Sequence, residues 1–110
     1  MLTKPVADRI DALRGLLATD PLNHFVRYAL AQEFVKKGEL SKAVGEFRTI
    51  LAENPGYQAA YYHGGKALER LGRGSEARAL YQRGVAVARK SGDLHALGEL
   101  EAALEDSSPG

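Results

Sequence analysis

The chain has 110 residues, 45% of them apolar and 26% charged, with fifteen basic against fourteen acidic side chains. That length suits one domain or one short repeat array, and a formal charge of +1 is too balanced to point to nucleic acid or to a membrane. The absence of cysteine excludes disulfides, thiolate catalysis and Cys-ligated zinc, and the widely spaced His24, His63 and His95 form no ligand pair, so neither metal nor cofactor is expected.

The first predicted helix covers 5–19. Asp8, Arg9 and Asp11 interrupt any apolar signal core there, and no apolar run in the chain reaches membrane-spanning length, so the expected compartment is the cytoplasm. Asp20-Pro21 ends this helix, and a second follows over 23–37. Lys37-Gly38-Glu39 and Asn54-Pro55-Gly56 bracket a third over 40–53. The fourth spans 57–71, and Gly72-Arg73-Gly74 separates it from a fifth over 75–90. Ser91-Gly92-Asp93 leads into a sixth over 93–105, and the tail 107–110 is expected to be disordered. Gly38 and Gly72 suit helix C-termini, where a left-handed backbone favours glycine, and Ser41 and Ser75 suit N-caps or first turns. Links this short make consecutive helices pack as antiparallel hairpins.

The helices are not independent of one another. Leu30, Ala31, Phe34, Gly38, Ala43, Phe47 and Pro55 are answered 34 residues later by Gly64, Gly65, Leu68, Gly72, Ala77, Tyr81 and Arg89. Arg14, Leu17, Ala18 and Pro21 lead Arg48, Leu51, Ala52 and Pro55 by the same interval. A period of this size marks a stack of identical units, and such stacks build surfaces for other molecules.

The spacing resembles the tetratricopeptide repeat, a 34-residue helix-turn-helix unit with an aromatic slot, a Leu-Gly pair, a second aromatic, an Ala, a third aromatic and a final Pro. Leu30-Ala31, Phe34, Ala43, Phe47 and Pro55 fill those slots in one unit, with Arg27 in place of the first aromatic. Tyr61, Gly65, Leu68, Ala77 and Tyr81 fill them in the next, with Gly64 and Arg89 as departures. The resemblance implies an all-α fold, a short right-handed α-solenoid of about six helices in one domain over 1–106. Its parts are a half-repeat at 5–21, repeats at 23–55 and 57–90, and a capping helix at 93–105. Arg89 in the proline slot leaves the fifth helix free to run on to about Lys90.

What the family does is implied in the same way. Its members hold a partner peptide or helix on the concave face, lined by the first helix of each unit. Carried over position by position, that face offers Phe25, Tyr28, Gln32 and Lys36 from one unit and Tyr62, His63, Lys66 and Arg70 from the next. The implied function is non-catalytic protein–protein interaction, with Tyr28 and Tyr62 as anchors and Lys66 and Arg70 as charged contacts. An alternative is a homo-oligomer formed through apolar ends of the stack. The carboxylate clamp that some repeat proteins use for chaperone tails wants Lys and Asn where this chain has Tyr28, Gln32 and His63, so that subtype is not expected.

Two further signals weigh less. Gly72-Arg73-Gly74-Ser75-Glu76-Ala77 matches a dinucleotide fingerprint, but a fingerprint needs a strand before it, and 66–71 reads as helix. No catalytic constellation is visible. Residues 61–90 carry seven basic and two acidic side chains, whereas 91–110 carry five acidic and none basic. That asymmetry suits either internal attraction or an acidic partner.

Overall fold

A computed structural model describes residues 8–107. The predicted helix start at Pro5 and the tail at 108–110 lie outside the described residues. Six α-helices follow one another: α1 Asp8–Thr19, α2 His24–Lys36, α3 Leu40–Glu53, α4 Gln58–Arg70, α5 Gly74–Ser91 and α6 Leu94–Asp106. The body measures 51 × 28 × 20 Å with a radius of gyration of 14.9 Å, against about 13 Å for a compact chain of this length. It is an elongated stack of helical hairpins.

Three turns close in one way. Gly38, Gly72 and Gly92 all have φ near +77°, at 76°, 78° and 77°. Glu39 N–H reaches back to the Phe34 carbonyl and Gly38 N–H to that of Val35. Arg73 and Gly72 do the same on Leu68 and Glu69, and Asp93 and Gly92 on Ala88 and Arg89. These paired bonds satisfy carbonyls that a helix end leaves free, and the left-handed backbone they require costs glycine nothing. Asn23 and Asp93 cap α2 and α6, accepting from Val26 N–H and Ala96 N–H at 3.1 and 3.0 Å. Ser41 and Ser75 fall in the first turns of α3 and α5, and neither helix has a side-chain cap bond.

The core runs the length of the stack through the slots that repeat. Ala31, Ala43, Phe47, Leu68, Ala77 and Tyr81 are all at 0% exposure, and Leu30 and Phe34 are at 2%. The small residues mark close crossings. A methyl added at Gly65 would lie 2.1 Å from the Tyr81 ring, and one at Gly84 would lie 2.7 Å from Tyr61 Cβ and 2.9 Å from Leu100. Arg27, in the aromatic slot, is half-buried and donates to Glu46 at 2.7 Å, so a charged pair replaces a ring contact between α2 and α3.

The charge asymmetry is met inside the fold only in part. Arg89 on α5 pairs with Glu101 on α6 at 2.8 Å. Arg78 donates to the Leu104 carbonyl at 3.0 Å and to the Ser107 hydroxyl at 2.6 Å. Ser107, at the head of the predicted tail, is therefore tied to α5. Of the fingerprint glycines, Gly72 lies in the α4–α5 turn and Gly74 opens α5, with a helix and not a strand before them.

Candidate functional site

The first helices of the hairpins, α2 and α4, share one face with α6. On α6 the buried stripe is Ala96, Leu100 and Ala103. Glu101 flanks it on the side that meets α5, as its bond from Arg89 shows. Helical periodicity then places Glu99 and Asp106 on the opposite flank, toward α4.

Five of the eight predicted groove residues come together. Tyr28 is the centre. Its ring lies 5.9 Å from that of Phe47, 5.6 Å from that of Tyr57 and 5.8 Å from the His63 imidazole. Gln32 donates to the Tyr28 hydroxyl at 3.3 Å. His63 meets the Tyr62 ring edge-on at 5.1 Å, and the Lys66 ammonium sits 5.5 Å from the centre of the Tyr62 ring. Offset and edge-on arrangements are the ones the quadrupoles of aromatic rings favour.

The other three stand apart from this cluster. Phe25, in the first turn of α2, is 74% exposed. Lys36 pairs with Glu33 at 3.3 Å; Glu33 is itself buried and also bonded by Arg9 of α1 at 2.8 Å. Arg70 is exposed in the last turn of α4 and joins no ion pair among the described residues. Two members were not named from the sequence. Tyr57, expected as the first residue of the fourth helix, is the N-cap of α4, at a position for which the repeat motif has no slot. Glu99 belongs to the capping helix.

Burial shapes the chemistry of the cluster. The Tyr28 and Tyr57 phenols are pushed above their ordinary values, chiefly by burial. Burial also pushes the His63 imidazole below its ordinary value, against the opposing pull of Glu99. A histidine held neutral in the fold protonates more readily once unfolded. Its contribution to stability is thus full above about pH 6.5 and is lost as pH falls toward the lower folded value. The melting temperature should therefore drop between pH 7.5 and 5.5, and His63→Gln should flatten that drop in a calorimetric series. Glu33 acts in a lower window: burial alone would raise its carboxyl, but hydrogen bonds from Arg9 and Lys36 hold it below the usual range.

Stacked antiparallel hairpins that bury the same slots unit after unit define a helical-repeat protein. A tetratricopeptide repeat family model matches residues 28–93, and the chain belongs to that family. A TPR repeat-containing protein of Pseudomonas aeruginosa is 28% identical over 91 residues, covering 83% of this chain and 87% of that protein. The solution structure of a tetratricopeptide repeat domain protein from Salinibacter ruber superposes with a TM-score of 0.71 at 41% identity, over 74% of this chain and 83% of that one. The solution structure of a protein from Bordetella parapertussis superposes with a TM-score of 0.76 at 26% identity, over 94% and 87%. Tetratricopeptide repeat domains generally mediate protein–protein interaction and are typically non-catalytic. No described helix is long and apolar enough to cross a membrane.

Proposed function

We propose that the chain is a non-catalytic interaction module that receives a peptide or helix of another protein on the face formed by α2, α4 and α6. The observation that carries this reading is the cluster of Tyr28, Tyr57, Tyr62 and His63, drawn from two helices and a turn. Rigid amphipathic rings give contact area at small entropic cost. Lys36, Lys66 and Arg70, in the later turns of α2 and α4, suit acidic groups on the partner. Tyr62→Ala should weaken partner binding by ~1–3 kcal/mol with the helical circular dichroism unchanged. Equal affinity in a calorimetric titration would remove Tyr62 from the site.

One observation favours a second reading, self-association through the α1 end. Ile50 is at 0% exposure, whereas Leu16, its counterpart 34 residues earlier, is 54% exposed. A full hairpin would cover that position. On this reading the mass in sedimentation equilibrium rises with concentration and Leu16→Lys abolishes the rise. A monomer at every concentration sinks it.

A further inference from the structure

Glu99 and the rings beside it admit a more definite partner chemistry. This inference rests on the groove reading above and adds a specific contact to it. Glu99 stands on the α4-facing flank of α6, three residues after the buried Ala96 and four before the buried Ala103. It is exposed and joins no ion pair among the described residues, whereas Glu101 two residues on is taken up by Arg89. The field of Glu99 reaches both Tyr28 on α2 and His63 on α4, raising the proton affinity of each. The two rings are 5.8 Å apart and nearly perpendicular, at 70°. Both are only half-buried, so each keeps an open side. On α6 the residue preceding Glu99 is Gly98, with open space around it.

Two electron-rich rings paired at 5.8 Å, with a carboxylate on the helix packed beside α4, are complementary to a cation. The faces of tyrosine rings attract guanidinium and ammonium groups, and the attraction grows as water is excluded. Among the described residues, Lys66 is the one cation seated over a ring of this cluster. It lies one helical turn further along α4, over Tyr62, and leans toward Glu69 at 3.9 Å. Tyr28 and Glu99 are left without one. We propose that Glu99, Tyr28 and His63 form a seat for an arginine or lysine side chain of the partner. Acidic groups of the same partner then lie one or more turns away, at Lys66 and Arg70. The groove is thus matched to a segment of mixed charge, not to an acidic one alone.

Two blocked amino acids test the seat directly: N-acetyl-arginine amide and its neutral isostere N-acetyl-citrulline amide, titrated into the isotopically labelled protein and followed by amide and aromatic NMR. Arginine should shift the signals of Tyr28, His63 and 98–102 in a saturable way, about fivefold tighter than citrulline. Glu99→Gln should bring arginine down to the citrulline level, while Glu105→Gln, on the same helix but outside the seat, should change nothing. Equal shifts from both probes, arginine shifts centred elsewhere, or arginine binding untouched by Glu99→Gln would each overturn the seat. Those results leave the groove reading standing, because that reading fails only if Tyr62→Ala leaves partner affinity intact. Glu99 is exposed, so its variant keeps the fold, and a dispersed amide spectrum verifies this.

Discussion

Phe47→Ala should lower the unfolding free energy by ~3–5 kcal/mol, the usual result of deleting a fully buried aromatic ring. Phe47 is at 0% exposure, and its Cβ lies where a methyl on Gly64 would come within 3.4 Å, so α3 and α4 close tightly around it. The packing of glycine against ring backbone-side atoms leaves little freedom for collapse into the void. Domains of this size hold only about 5–15 kcal/mol in total, so the variant should melt well below the parent in urea. A second consequence follows from the ring's position. Phe47 lies 5.9 Å beneath Tyr28, so the loss of the core ring also removes the floor of the groove. Partner affinity should fall under conditions where Phe47→Ala is still folded. A urea midpoint close to that of the parent would show that the interface between hairpins is not packed as described.

Gly65→Ala should destabilise even though alanine is the better helix former. In an exposed helix the exchange gains about 1 kcal/mol. Here the new methyl would lie 2.1 Å from Tyr81 Cε1 and 2.6 Å from Cζ. Tyr81 cannot give way easily. It is at 0% exposure, and its hydroxyl donates to Glu69 Oε2 at 3.0 Å, while burial, with Glu69 beside it, pushes the phenol far above its ordinary value. Overpacking of this kind costs ~1–3 kcal/mol, occasionally more, and a contact this short belongs at the upper end. The net loss should be about 2 kcal/mol. Gly45→Ala, at a helical glycine with open space around it, is the control and should stabilise slightly. If both substitutions raise the melting temperature, the crossing of α4 and α5 is looser than the structure has it.

The fold was legible because its determinants are local and repeat. Three of the five turns carry their own instruction in Gly38, Gly72 or Gly92, and within the described residues predicted and observed helix bounds differ by at most one residue at either end. The buried slots follow from periodicity, and the glycines at 64 and 65, unfavourable in isolation, make sense as close crossings. The groove was only partly legible. Tyr28, Tyr62, His63 and Lys66 sit at positions that the family resemblance assigns to the groove, and their side chains come together. Exposure and pairing do not follow from a wheel: Lys36 turns to Glu33 because Glu33 is buried against α1, a contact between elements 24 residues apart at Arg9. Tyr57, expected as the first residue of the fourth helix, is its N-cap instead, at a position for which the repeat motif has no slot.

The two-residue lengthening between the last hairpin and the cap changes what the groove displays. From the start of α3 to that of α4 is 18 residues, Leu40 to Gln58, whereas from the start of α5 to that of α6 is 20, Gly74 to Leu94. Counted strictly by 34, Glu99 would inherit the place of Ala31 and Gly65, the tightest contact in the stack, where a carboxylate could not be accommodated. Two added residues turn a helix by about 200°, which moves Glu99 out of that contact and aligns it with His63 instead. A change in phase, made where arginine replaces the terminal proline, thus converts what would have been a buried conflict into a displayed charge. Stacks of identical units vary their surfaces mostly by exchanging side chains; this one also does so by slipping the register of its final helix.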